Sequence, residues 1–285
     1  MPTTRIEIES LIYLLEDPDP EVQETVQNRF RELGENAVPL LDQFRVETRD
    51  QSEKQVINNI IHQLTFGALH EDFSSLLDAG VDDRRQLEKA VFLLARFGNP
   101  TLRTTEYERR LNRFADTIAP EIFPQPEDKQ MHMLLHYVFR ELGFRGDGRD
   151  YHNPDNAFID RVIDRRKGLP VMLGMVVMFL ARRLDLPFYG VNMPIHFMLV
   201  FEARDGDVLI DPFDGGTIVS YDQCHYFLRK NGITPRPGHL ERSGEQEILT
   251  RTVRNLIHGY TRSGDDSRVQ DLHSLLQLIE LKGRH

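Results

Sequence analysis

From Leu169 to Ala181 the chain reads LPVMLGMVVMFLA, thirteen residues without one polar side chain. A helix with no polar face has to be buried on every side. The run is short of the roughly 20 residues that a bilayer-spanning helix requires. It is therefore read as the central helix of a globular core, and no membrane partner is expected. Pro170 suits the first helical position, where a missing N–H costs nothing. Arg182 and Arg183 fall in the last turn, where the helix dipole favours cations. Gly174, in the middle, would let another element approach closely.

Beyond the helix the chain reads as sheet. Phe188 to Val191 is a short strand. Ile195 to Ala203 alternates, with His196, Met198 and Val200 on one face and Phe197, Leu199 and Phe201 on the other. Arg204-Asp205-Gly206-Asp207 is a hairpin signal. Val208 to Asp211 is the return strand, ended by Pro212, and Gly215-Gly216 turns the chain again. On this reading His196 and Asp211 sit on neighbouring strands and their side chains can meet.

Several short motifs share an order and spacing across residues 70 to 285. They are Gly143-Phe144-Arg145-Gly146, Tyr151, Pro154, Asn156, Arg165-Arg166-x-Gly168-x-Pro170, Ala181-Arg182-Arg183-Leu184-x-Leu186-Pro187, Gly190-Val191, Pro194-x-His196-Phe197 and Ile210-Asp211-Pro212-Phe213-x-Gly215-Gly216. As a set they resemble the SirB-type branch of the transglutaminase-like superfamily. The resemblance implies a mainly helical α+β fold. Its transglutaminase-like core would be a buried central helix packed on a small antiparallel sheet, flanked by helical N- and C-terminal segments. In active members a Cys at the helix start attacks an acyl carbon, a His is its base and an Asp orients the His. His196 and Asp211 fall where those members keep the His and Asp. Pro170 falls close to where they keep the Cys.

The nucleophile is what this sequence lacks. Proline offers no heteroatom, and Leu169, Val171 and Met172 are no better. No Ser, Thr or Cys occurs between Ile118 and Gly216, so the usual substitutes are absent from the whole region. The single thiol, Cys224, stands near Asp222 and His225 at the start of an expected helix. It reads either as a small buried hydrophobe or as a relocated nucleophile. His196 and Asp211 likewise read as an internal hydrogen bond that fixes the hairpin, as a polar pocket, or as acid–base chemistry on water. For a pocket, the residues to line it are Asn156, Arg165, Arg166, Phe197 and Phe213. Asn156 is also a candidate helix cap, and the Arg165-Arg166-Lys167 cluster a solvated or internally paired turn.

The remainder reads as helix. Residues 1–66 form a HEAT-like segment, with Asp19 capping a helix that has Pro20 at its first position. Ala37 to Phe44 comes next, and a partial second repeat spans Lys54 to Leu64. Residues 67–243 are the core with its helical lead-in: Leu87 to Phe97, Tyr107 to Ile118, a loop at Pro120 to Pro126, and Asp128 to Leu142. Residues 244–285 form a tetratricopeptide-like hairpin. His132 and His136 share a helix face, but no third ligand is near in sequence, so no metal and no cofactor is expected.

A net charge of −10 argues against a nucleic-acid binder. One cysteine suits a reducing cytoplasm. Met1 to Glu16 lacks the pattern of a secretory leader. The expected function is a non-catalytic binding or regulatory module, with a protein partner held through the helical N- or C-terminal segments. The alternative is a hydrolase or acyltransferase using His196 and Asp211 with a relocated nucleophile or an activated water.

Overall fold

The computed structural model describes residues 4–15, 17–81 and 83–282. Residues 1–3 and Glu16, part of the stretch read for a leader, lie outside them. The chain divides into two compact units. One holds residues up to Asp72 together with Arg96–Leu102; the other holds Phe73–Ala95 and everything from Arg103 onward.

The first unit is helical. Its elements are α1 (Arg5–Leu14), α2 (Pro20–Leu33), α3 (Val38–Glu47) and most of α4 (Gln51–Asp78). Residues 66 and 67 both lie within α4. Asp19 caps α2 by accepting from the backbone N–H of Glu21, with Pro20 at the first position. Ile8 and Ile12 of α1, Phe30 of α2, Leu41 of α3 and Ile57 of α4 close one apolar core. The next helix is α5 (Arg84–Gly98), of which residues 84–95 belong to the second unit.

The second unit continues with α6 (Thr104–Ile122) and α7 (Glu127–His136), which runs on into a π-helical turn, Tyr137–Glu141. Pro120, expected in a loop, lies inside the last turns of α6. Next come β1 (Arg145–Gly146), a 3-10 turn at Pro154–Ala157, α8 (Ile159–Arg165), β2 (Lys167–Gly168), which pairs in parallel with β1, and α9 (Pro170–Arg183). The sheet proper is β3 (Phe188–Val191), β4 (Met198–Ala203), β5 (Gly206–Asp211) and β6 (Thr217–Val219), antiparallel in sequence order. The chain closes with α10 (Tyr221–Lys230), α11 (Glu245–Ser263) and α12 (Asp266–Lys282). The fold is α+β, mainly helical, with one small antiparallel sheet.

Every residue of α9 from Pro170 to Ala181 is buried, as an all-apolar helix requires. At Gly174 the chain entering β4 packs closely on the helix. A Cβ there would lie 2.5 Å from the Phe197 ring and 3.4 Å from Leu199. The other face of β4, with Met198 and Val200, packs with Leu209 on Cys224 and Leu228 of α10. The sheet is thus covered on both sides, and the alternation in its sequence sorts side chains between two apolar layers rather than between core and water.

At the far end of α9, the carboxylate of Glu88 on α5 is clamped by Arg182 at 2.8 Å and Arg183 at 2.6 Å. Arg84 on the same helix donates to the carbonyls of Leu186 and Phe188.

Two details of the hairpin differ from expectation. Gly206 and Asp207 belong to β5, which leaves Arg204-Asp205 as a two-residue connection. His196 precedes β4 rather than lying in it, because Pro194 turns the chain there.

Candidate functional site

His196 and Asp211 meet. Nε2 of His196 is 3.0 Å from Oδ1 of Asp211, with both side chains largely buried. The same carboxylate oxygen accepts from the backbone N–H groups of Phe213 at 2.8 Å and Asp214 at 3.2 Å. Burial raises the Asp211 pKa, but His196 and these two N–H groups outweigh it and hold the carboxyl below its ordinary value. A carboxylate only accepts, so the shared proton is on Nε2 and a neutral ring keeps its lone pair on Nδ1. That is the tautomer of an oriented base.

Asp211 is placed by the end of β5. His196 is placed by a tight turn, in which its N–H donates to the carbonyl of Met193 at 3.2 Å. Pro194 and Ile195 are the central residues, and Ile195 has φ 58°. Proline before a residue of positive φ is the pattern of a type II turn, whose third position normally takes Gly or Asn. A β-branched residue in that conformation is a true outlier, and such outliers gather at functional sites.

Aromatic rings surround the pair. Phe227 lies 5.9 Å from the His196 ring, and Phe213 6.4 Å from it, edge-on. Phe213 stacks edge-to-face with Tyr151 at 5.7 Å, and its ring covers Gly146, where a Cβ would come within 2.6 Å. Tyr151 and Phe227 reach the surface.

No hydroxyl or thiol stands at the helix start. Pro170 and its neighbours Leu169, Val171 and Met172 are all buried apolar residues. Cys224 is buried among Met198, Val200, Leu209 and Leu228. Burial, then the charge of Asp211, push its thiol pKa up. A nucleophilic cysteine needs the reverse, an electropositive setting that favours the thiolate. Among the described residues no group of three or more metal-ligating side chains is arranged to hold an ion, and His136 instead lies 3.2 Å from Glu141.

The five residues expected to line a pocket fall in several places. Phe213 is beside His196. Phe197 is fully buried against α9 and cannot face a ligand. Asn156 does not cap α8. It is buried, donates to the Asp150 carbonyl and accepts from Arg165, which also pairs with Asp147 at 3.3 Å. Arg166, in a left-handed conformation, is stacked between Phe114 and Phe144 with its charge centre 4.7 and 4.5 Å from the ring centroids. Burial lowers its pKa. These arginines hold the loop before α9, and of the two readings of the cluster the internally paired one is what Arg165 adopts.

Three further residues near the pair escaped the sequence reading. Pro194 was the available signal for Ile195, but strand alternation masked it. Asn192 and Arg251 are brought together from 59 positions apart by β3 and α11, and nothing local marks them.

Among the described residues no helix is long and apolar enough to cross a membrane. The sequence profile described as the transglutaminase-like superfamily matches residues 105–254, just over half of the chain. A UPF0162 protein of Xylella fastidiosa is 28% identical over 197 residues, covering 65% of this chain and 69% of the relative. A UPF0162 protein of Haemophilus influenzae is 41% identical over 129 residues, 44% of this chain and 48% of the relative. The human F-box only protein 21 is 29% identical over 153 residues, half of this chain but only 24% of that protein. No solved structure matches the chain. With the matched segment containing α9, the sheet and both members of the His–Asp pair, this chain belongs to the transglutaminase-like superfamily.

Proposed function

We propose that this protein is a non-catalytic, SirB-type member of the superfamily that acts as a binding or regulatory module. The observation that carries the reading is the first turn of α9. It holds Pro170 and apolar neighbours where a nucleophile would stand, and no hydroxyl or thiol of Ser, Thr or Cys occurs anywhere from 119 to 215. The lone thiol sits in an apolar cluster that disfavours its ionised form. In this reading the His196–Asp211 pair is a retained hydrogen bond. It orders the turn and presents the surrounding rings of Tyr151, Phe213 and Phe227 to a ligand. The HEAT-like reading of residues 1–66 and the tetratricopeptide-like reading of 244–285 make those segments the surfaces for a protein partner, in a cytoplasmic setting.

Two observations favour the alternative, a hydrolase or acyltransferase working through activated water. The pair has the tautomer of a base, and the residue before it is strained. Hydrolysis of p-nitrophenyl acetate and of a fluorogenic peptide amide by the purified chain separates the two. The expected result is no saturable turnover. Saturable turnover that disappears in both His196→Ala and Asp211→Ala, with circular dichroism unchanged, would establish the enzyme instead.

A further inference from the structure

Beside the His196 turn, in the second unit, lies a cavity of about 650 Å³. That is within the range of small-molecule sites. Its wall includes Asn192, Ile195, Thr250, Arg251, Asn255 and Glu280.

Most charged and amide side chains around it are already engaged. Glu280 pairs with Arg254 at 2.8 Å. Glu247 accepts from the Gly244 N–H at the start of α11, and Gln246 donates to the Ile279 carbonyl. Of the groups not engaged in this way, two bear on a ligand. Arg251 makes one hydrogen bond, from Nη1 to the Met193 carbonyl at 2.9 Å, and among the described residues has no carboxylate within ion-pair distance. Burial lowers its pKa, as expected of a cation without a counter-charge. Oδ1 of Asn192 is buried and has no hydrogen-bond partner among the described residues. A guanidinium carries five donors in a fork that matches a carboxylate, so most of its capacity is open. An unsatisfied amide oxygen asks for an N–H or O–H donor.

We infer that this cavity recognises a carboxylate flanked by an N–H group, as found at the C-terminus of a peptide or on an N-acylated amino acid. Arg251 holds the carboxylate, and the Asn192 amide, rotated about its last torsion so that the now buried Oδ1 faces the cavity, accepts the N–H. The site is coupled to the His–Asp pair through one atom: the Met193 carbonyl accepts both from Arg251 and from the N–H of His196. Ile195 gains a role. The residue is 54% exposed and lines the cavity from a conformation that disfavours isoleucine. It provides an apolar surface for the ligand's last side chain. The inference deepens the binding-module reading by naming a ligand class, and it rests on that reading for its biological sense.

Isotope-labelled full-length chain is titrated with N-acetyl tripeptides randomised at the last residue, as free acids and as C-terminal amides, and separately with inorganic phosphate. The acid pool is expected to shift the side-chain amide of Asn192, the Thr250 backbone amide and the His196 ring resonances; the amide pool and phosphate are expected to leave them in place. Arg251→Lys should weaken binding of the acids about tenfold, because a point charge replaces the fork. Asn192→Leu, which keeps Arg251 and its contact with the turn, should weaken it by a similar factor.

Equal binding of acids and amides, a response to phosphate alone, or no response to any probe overturns the inference. So does unchanged affinity in both variants. Comparing N-acetylalanine with N-acetyl-trialanine tells a free acylated amino acid from a peptide end, and binding of either one supports the carboxylate and N–H recognition. The readout requires no chemistry. A chain that binds acids and also turns over esters fails the non-catalytic reading alone, and one that does neither fails this inference alone.

Discussion

Ile195 stores free energy at the point where the chain presents His196. Its φ of 58° is a conformation that costs an L-residue other than glycine, asparagine or aspartate roughly 1–2 kcal/mol. With the residue 54% exposed, little burial offsets that cost. Ile195→Asn should therefore stabilise the chain by about 1 kcal/mol, since asparagine tolerates the left-handed region without the backbone entropy of glycine. Urea unfolding midpoints at constant slope check this. A lowered midpoint would mean that the isoleucine packs in the folded state more than its exposure indicates. The same scale governs Cys224: its neighbours are apolar, and burial together with the carboxylate of Asp211 pushes its thiol pKa up.

At the scale of elements, α9 sets the tolerances of the second unit. It is covered all round, so any added volume meets a neighbour that is itself packed. Gly174 is the tightest point. Its added methyl would overlap the ring of Phe197, which is fully buried and cannot swing away. Gly174→Ala gains up to about 1 kcal/mol of helix propensity but incurs an overpacking cost of about 1–3 kcal/mol. A net loss of about 1 kcal/mol is expected from these two terms, measured by thermal or urea denaturation. A net gain would show that β4 can move away from the helix. The Glu88 clamp works at the same scale. Two arginines in the last turn of α9 suit the helix dipole, and a buried carboxylate from α5 neutralises them where water is scarce.

For the molecule as a whole, the family match and the folding unit are different things. The match covers residues 105–254. The clamp on Arg182 and Arg183 comes from Glu88, and Arg84 satisfies carbonyls at the start of β3. α12 lies beyond the match and buries Leu272, Leu275 and Ile279. A fragment of residues 105–254 would leave Arg182 and Arg183 without their carboxylate and uncover the apolar face that α11 buries against α12. It is expected to lose near-UV circular dichroism and cooperative melting, while the full chain keeps both. A cooperative melt of the fragment would show that the flanking helices are dispensable for folding.

The buried helix, the hairpin and the lack of Ser, Thr or Cys around the helix start could be read from the chain alone, because each is written locally. An apolar run without a polar face, an alternating segment with turn residues, and a long stretch without Ser, Thr or Cys need no partner to be read. The meeting of His196 and Asp211 was legible for the same reason, since the two segments are joined by one short hairpin. Tertiary structure decided the rest. It buried Phe197 against α9, and it stacked Arg166 between two rings. It also set an arginine from α11, without a carboxylate partner among the described residues, beside an unsatisfied amide from the end of β3. Such pairings depend on which distant surfaces are pressed together, and a linear pattern carries local preference but not that choice.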